Sequence, residues 1–285
     1  MTSPLPVMAG RPLPMTAGRW AALVIGTPLA LLVIGWTALT AVAFAGLGSS
    51  RVNLAVPLHG RTAAVSVDEG DISVGPGPAG QLRVHGTMHY SLIRPKLAWQ
   101  RLGSTIALHA HCQVPTGVCS FDYAVAVPPA ARSEVSTASG NLTASGLAGT
   151  VTLSADSGDI QATGISGRAT ISDHSGNITV TSPAGARVLI MNDSGDITGT
   201  GVSSRQLNAQ DQSGDITVVF TKVPDLVRIS DSSGNIKLVL PPGPTAYRIS
   251  ASTSSGQTSI GVPQSPTSPH VISATDQSGD ITISQ

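Results

Sequence analysis

The second half of the chain alternates between apolar and polar residues with a period of two. The alternation runs for a few residues, breaks at a short polar corner and then resumes. Two such stretches are Val188, Ile190 and Asn192 followed by Ile197, and Val227, Ile229 and Asp231 followed by Ile236. A period of two is that of a β-strand, so the pattern predicts pairs of short strands joined at a corner.

Each corner carries the phrase Ser-Gly-Asp/Asn-Ile/Leu, which recurs every 18 to 23 residues when a degenerate copy at residues 255–258 is included. The glycines and the residues that follow them are Gly140 and Asn141, Gly158 and Asp159, Gly176 and Asn177, Gly195 and Asp196, Gly214 and Asp215, Gly234 and Asn235, and Gly279 and Asp280. An isolated early copy, Gly-Asp-Ile, stands at residues 70–72.

The regular spacing of this corner predicts a β-solenoid, in which each coil stacks on the last at about 4.8 Å. The repeated Ile and Val positions would then form columns inside the coils, which no single coil could bury alone. An antiparallel sandwich is the competing architecture, but it does not account for one corner motif in near-constant register. The fold class predicted is therefore all-β, with a single transmembrane α-helix before the repeat domain.

That helix is predicted from residues 20–47, which contain no charged side chain. A helix of this length rises about 42 Å and exceeds the ~30 Å hydrocarbon core of a bilayer. Arg11 and Arg19 precede the segment and Arg51 follows it, which favours a cytoplasmic N-terminus and a single-pass protein of the cell membrane. A cleavable signal peptide is the alternative, because residues 43–45 resemble a cleavage site.

The predicted organisation is a cytoplasmic tail at residues 1–19, the membrane helix at 20–47, a linker at 48–59 and an extracytoplasmic β-solenoid at 60–285. Composition supports this class: charged residues are 11% of the chain, and Gly and Pro number 31 and 20. Basic and acidic residues balance at 16 each, so there is no net field to attract nucleic acid, which is not expected as a partner.

Cys112 and Cys119, the two cysteines of the chain, bracket a turn that contains Pro and Gly. A disulfide across this turn is the favoured interpretation, since it would persist outside the membrane. Two reduced core cysteines are a second interpretation. A metal site with His109 and His111 is a third, although these histidines alternate as strand residues do and complete no ordinary ligand set.

The aspartates at the corners have two interpretations. Asp and Asn interchange there, which favours turn chemistry, in which the side chain accepts backbone N–H groups and Gly takes a positive φ. Stacked carboxylates binding calcium is the alternative. Catalysis is not expected, because the chain has only Glu69 and Glu134 as glutamates and no nucleophile, phosphate or dinucleotide motif. No metal or cofactor is expected.

As a whole the chain resembles the bacterial β-strand-repeat proteins labelled "putative adhesin", a domain of unknown function with many membrane-anchored members in actinobacteria. The resemblance covers about residues 60–285. It rests on residues 65–74, the Cys112 and Cys119 pair, residues 123–129 and the Ser-Gly-Asp/Asn ladder. It implies a right-handed β-helix-like fold on the outer face of the envelope, without a known ligand or functional residues to carry over.

These features predict a non-catalytic envelope adhesin or sensor that binds an unidentified extracellular or cell-wall ligand. A self-assembling scaffold resembling the bactofilins is the alternative, because the final strand at residues 281–283 could leave an open edge. A polysaccharide-acting β-helix enzyme is a third reading. Pro263, Pro266 and Pro269 interrupt the last coils, so the ectodomain is expected to be monomeric.

Overall fold

The computed structural model describes residues 29–37, 47–58, 62–91, 96–103, 105–111 and 119–285 of the chain. The N-terminal strands are β1 (Leu47–Pro57), β2 (Thr62–Glu69), β3 (Ile72–Pro76), β4 (Gln81–Ser91), β5 (Lys96–Leu102), β6 (Thr105–His111) and β7 (Cys119–Val127). The repeat region consists of β8 (Arg132–Ser139), β9 (Leu142–Ser145), β10 (Val151–Ala155), β11 (Ile160–Thr163), β12 (Ala169–Asp173), β13 (Ile178–Thr181), β14 (Arg187–Asn192), β15 (Ile197–Val202), β16 (Gln206–Gln210), β17 (Ile216–Phe220), β18 (Leu226–Ser230) and β19 (Ile236–Val239). The C-terminal strands are β20 (Arg248–Ser255), β21 (Thr258–Ile260), β22 (Val271–Ser278) and β23 (Ile281–Ser284).

These strands form two long sheets that are mainly parallel. The 12-stranded sheet has the spatial order β1-β4-β7-β3-β9-β11-β13-β15-β17-β19-β23-β21, and the 11-stranded sheet has the order β20-β22-β18-β16-β14-β12-β10-β8-β2-β6-β5. In the repeat region each coil places one strand in each sheet and stacks on the coil before it. The fold is therefore all-β and solenoid-like, as the corner spacing predicted. The right hand expected for the coil stays a prediction.

The core consists of columns of identical or similar apolar side chains between the two sheets. Ile160 pairs with Ile178, and Ile178 pairs with Ile197, in parallel register. These side chains are at most 1% exposed. Each buried Ile contributes roughly 1.5 to 3 kcal/mol relative to an exposed one, and its neighbours in the column lie in adjacent coils.

The N-terminal coils do not stack in chain order. Strands β2 and β3 lie directly against β8 and β9, although β4 to β7 intervene in the chain. Strands β6 and β7 pack on the other side of β2 and β3. The early Gly-Asp-Ile copy at residues 70–72 is thus the first step of the main ladder in space.

The strand order at the C-terminal end contradicts the prediction that the strand at residues 281–283 leaves an open edge. Strand β23 lies between β19 and β21, and β22 lies between β18 and β20. The last strand of the chain is therefore internal, and the strands at this end of the sheets are β20 and β21. The sequence gives no local sign of this insertion, because each strand contributes a similar apolar face.

Residues 48–57, predicted as part of a linker, form most of strand β1 instead. They alternate, with Val52, Leu54 and Val56 more buried than their neighbours, and they pair antiparallel with β4. Residues 29–37 form a helix. No helix in the described part of the chain is long and apolar enough to cross a membrane, and residues 20–28 and 38–46 of the predicted span lie outside that part.

Candidate functional site

The corner residues singled out in the sequence form one continuous column along the edge of the 12-stranded sheet. At each step a backbone N–H of one coil donates to the side-chain oxygen of the preceding coil. The first donations run from Asn141 N to Asp71 Oδ1 at 2.8 Å and from Asp159 N to Asn141 Oδ1 at 3.0 Å. The column then passes through Asn177, Asp196, Asp215, Asn235 and Asp280 to Gln257.

This geometry explains why Asp and Asn interchange at the corner. Each residue supplies one oxygen that accepts a hydrogen bond, and both side chains carry such an oxygen. The glycine before it has positive φ, for example +115° at Gly195. A Cβ on Gly195 would also lie 2.2 Å from the carbonyl oxygen of Gly176, so the stacking requires glycine. We call this column the corner ladder.

Of the two cysteines the structure describes Cys119, which lies in β7 beside β3. Cys119 begins β7, is 7% exposed and is disulfide-bonded. Cys112 lies outside the described residues, so the pairing of the two cysteines stays a prediction. His111 forms an ion pair with Asp68 on the surface of the 11-stranded sheet. Among the described residues, which do not include Cys112, no three His, Cys, Asp or Glu side chains form a group that could hold a metal ion.

A groove of about 840 Å³ lies on the outer face of the 12-stranded sheet, where β1, β4, β7, β3, β9 and β11 lie side by side. It is lined by Arg51, Val52, Asn53, Asp71, Ile72, Ser73, His85, Gly86, Thr87, Asp122, Tyr123, Ala124, Asn141, Thr143, Asp159 and Gln161. Outward positions of strands are polar here, since alternate positions face the core. The first three residues of the corner ladder, Asp71, Asn141 and Asp159, thus also line this groove.

The groove presents polar side chains that are available to a ligand. In the part of the chain that the structure describes, the side chains with no hydrogen-bond partner include Arg51, Asn53, His85, Thr87, Thr143 and Gln161. Other groups are already engaged: Ser73 Oγ donates to the Tyr123 carbonyl at 3.3 Å, and Asp122 faces His89 at 3.6 Å. Burial raises the pKa of Tyr123, whose ring faces the core and stays neutral.

Sequence reasoning did not identify this groove. Its residues come from strands that are far apart in the chain, and the sequence pattern predicted a linker at residues 48–59, which include most of β1. The alternation of Arg51 and Asn53 with Val52 and Leu54 is the signal that could have found β1. Nothing local indicates that β1 and β4 extend the sheet beyond β7.

The family described as Toastrack DUF4097 matches residues 125–284, which is more than half of the chain. No curated protein is significantly similar to it in sequence. Among solved structures, a "putative lipid binding protein" from Parabacteroides distasonis is 11% identical with a TM-score of 0.53, covering 84% of this chain and 96% of its own. A "putative adhesin" from Bacteroides fragilis is 14% identical with a TM-score of 0.49, covering 82% and 96%.

Proposed function

We propose, from the premise that this chain belongs to the Toastrack DUF4097 family, that it is a non-catalytic binding protein of the bacterial cell envelope. Residues 20–47 hold it in the membrane, with the N-terminus in the cytoplasm and the β-domain outside. The domain acts as a monomer and binds an extracellular or cell-wall ligand in the groove. The observation that carries the proposal is the set of uncommitted polar side chains lining that groove.

The lining points to a polyhydroxylated ligand such as a surface or cell-wall glycan. Amide and hydroxyl groups of Asn53, Thr87, Thr143 and Gln161 can donate to and accept from sugar hydroxyls. Arg51 is positively charged and the neighbouring carboxylates are negatively charged, so the groove has no strong preference for anions. The structure of similar fold from Parabacteroides distasonis is described as a "putative lipid binding protein", but the hydroxyl and amide groups in this groove favour a glycan over an acyl chain.

The absence of catalysis is part of the proposal, and two features support it. Each aspartate of the corner ladder accepts a backbone N–H hydrogen bond with one of its oxygens, and these aspartates recur from coil to coil. The carboxyl groups with a raised pKa, Asp173, Asp211 and Asp231, are at most 5% exposed and are not among the residues that line the groove. A general acid must reach its substrate.

The membrane anchor is supported by the uncharged run and by the arginines before it. Strand β1 begins at Leu47, where the predicted span ends, so the domain would follow the membrane segment without a linker. The edge formed by β1 and β5 would then be the part of the domain closest to the bilayer, with the groove beside it.

The proposal is tested by a glycan-binding screen with the full-length chain in nanodiscs. Thr143→Trp places a bulky side chain in the groove, and Thr282→Trp places the same residue at an outward position of β23 in the same sheet. We expect binding to cell-wall polysaccharide fragments, weakened at least tenfold by Thr143→Trp and unchanged by Thr282→Trp, since tenfold corresponds to about 1.4 kcal/mol.

Two results would contradict the proposal. One is the absence of binding to any glycan on the array by a folded chain. The other is equal loss of binding in both variants, which would place the ligand elsewhere on the domain.

A further inference from the structure

A second column of polar side chains lies inside the corner, behind the corner ladder. We call it the inner column, and strand register places its members side by side in successive coils. Its members are Asp173, Asn192, Asp211, Asp231, Asp276 and Thr253. The acidic and amide members are only 2 to 5% exposed, and groups this buried need hydrogen-bond partners.

One oxygen of each carboxyl group in this column has such partners. Asp211 Oδ1 accepts hydrogen bonds from the backbone N–H groups of Gln212 at 2.8 Å and Ser213 at 3.3 Å. Asp231 Oδ1 accepts from the next two residues in the same way. The corner backbone therefore satisfies half of each carboxyl group.

The other oxygen has none. Oδ2 is buried without a hydrogen-bond partner at Asp173, Asp211, Asp231 and Asp276. At Asp231 this oxygen borders the same space as the carbonyl oxygen of a corner glycine. A Cβ placed on Gly234 would lie 2.8 Å from Asp231 Oδ2 and would overlap the Gly214 carbonyl oxygen. Two acceptors thus border one small space, and an ionised carboxylate supplies no hydrogen to join them.

Two members of the inner column carry a donor, and both direct it to a glycine carbonyl. Asn192 Nδ2 donates to the carbonyl of Gly176 in the preceding coil at 3.1 Å, and to that of Gly195 at 2.7 Å. Thr253 Oγ1 donates to the carbonyl of Gly279 in the neighbouring coil at 3.0 Å. The corner is therefore built to receive a hydrogen bond from this position.

We propose that Asp173, Asp211 and Asp231 are proton-binding sites of the folded chain. Each binds one hydrogen ion on Oδ2, and the resulting hydroxyl donates to the glycine carbonyl of the preceding coil. The proton gives each aspartate the donor that Asn192 and Thr253 carry permanently. Proton uptake therefore tightens the stack of coils, and acid stabilises the domain.

The charged groups around these sites support the inference. Burial is the main cause that raises the pKa of all three carboxyl groups, to about 6 for Asp211. The backbone hydrogen bonds lower each pKa but do not offset burial. Asp196 and Asp231 face Asp211 and raise its pKa further, and Asp215 and Asp276 do so for Asp231. Asp159 raises the pKa of Asp173, and His174 lowers it.

The direction of the pH dependence follows from these shifts. A carboxyl group whose pKa is higher in the folded chain than in the unfolded chain stabilises the fold below the unfolded value. That contribution is lost as the pH rises through the folded value. For Asp211 the window runs from its ordinary value of 3.8 to about 6.

The test compares urea unfolding of the full-length chain in detergent at pH 4 and pH 8. Asp211→Asn supplies a permanent donor. The control, Asp280→Asn, makes the same substitution at an exposed residue of the corner ladder that does not shift the pKa of any of the three sites. Between pH 8 and pH 4 we expect the folding constant of the wild type to rise on the order of a hundredfold relative to Asp211→Asn. Relative to Asp280→Asn it should not change.

Two further measurements make the outcome decisive. Asn192→Asp should add a proton-binding site and steepen the pH dependence, which keeps the test valid if Asp211→Asn fails to fold.

Infrared spectra at pH 5 should contain a band of protonated carboxyl groups that weakens in Asp211→Asn. Absence of that band, or an equal effect of Asp211→Asn at both pH values, would overturn the proposal. So would stabilisation of the wild type alone by calcium at pH 8, which would make the inner column a cation site.

Discussion

The repeat region and the two ends of the molecule build the same corner ladder from different chain separations. Between β8 and β19 each step of the ladder joins residues 18 to 20 positions apart. At the N-terminal end the step from Asp71 to Asn141 spans 70 positions, and at the C-terminal end the step from Asn235 to Asp280 spans 45.

The comparison shows that the geometry of a coil does not depend on where its neighbour comes from. Loop-closure entropy grows only slowly with loop length, so a coil that follows a long excursion stacks at little extra cost. The repeat region and the C-terminal end differ in the number of neighbours that each coil has. Coils of the repeat region have a neighbour on both sides, whereas β20 and β21 have one neighbour each among the described strands.

The largest effect should come from Gly195→Val compared with Gly243→Val. Both glycines have positive φ, so both variants are strained by about 1 to 3 kcal/mol. Only Gly195 also abuts the carbonyl of the neighbouring coil, while a Cβ on Gly243 would meet no atom within 4 Å. We expect Gly195→Val to cost more than about 4 kcal/mol in thermal unfolding. Equal costs would mean that strain alone, and not stacking, requires the glycine.

A smaller effect should separate Ile216→Ala from Ile260→Ala. Ile216 is fully buried with coils on both sides, and Ile260 lies in β21 at the end of the stack, where it is partly exposed. Truncation should cost about 2 to 5 kcal/mol at Ile216 and about 1 kcal/mol or less at Ile260. Urea unfolding of both variants measures this, and a larger loss at Ile260 would show that the end coil supports the whole stack.

The smallest effect should come from Asp196 in the corner ladder. Asp196→Asn keeps the oxygen that accepts the N–H of Asp215, so its cost should stay within about 0.5 kcal/mol. Asp196→Ala removes the acceptor and should cost about 0.5 to 1.5 kcal/mol. Thermal melts with and without calcium check both variants. A calcium-dependent stabilisation lost in Asp196→Asn would restore the calcium interpretation of the corner.

The sequence is sufficient to predict the repeat region. Alternation places Ile190 and Ile229 in the core, and the Gly-Asp/Asn phrase marks each corner. It also places Asn192 and Asp231 in phase with those apolar residues, which is the signal for the inner column. A polar residue at a core position is informative because burial is costly unless a partner is present.

The ends could not be predicted in the same way, for a physical reason. The pairings of β2 with β8 and of β19 with β23 depend on which apolar faces meet after long excursions, and many faces are nearly equivalent. The groove depends on these pairings, because four other strands lie between β1, which carries Arg51, and β11, which carries Gln161. Local alternation could have identified β1 but not its position in the sheet.

The insertion of β22 and β23 before β20 and β21 sets an order in which this part of the stack can assemble. β20 and β21 precede β22 and β23 in the chain but pair with them, so they gain these partners only after β23 has been synthesised. A chain truncated before Val271 would leave β20, β21 and the sheet edges at β18 and β19 unpaired. Unpaired strand edges are templates for pairing with other chains, so such a truncated chain should aggregate more readily than the chain that carries β22 and β23.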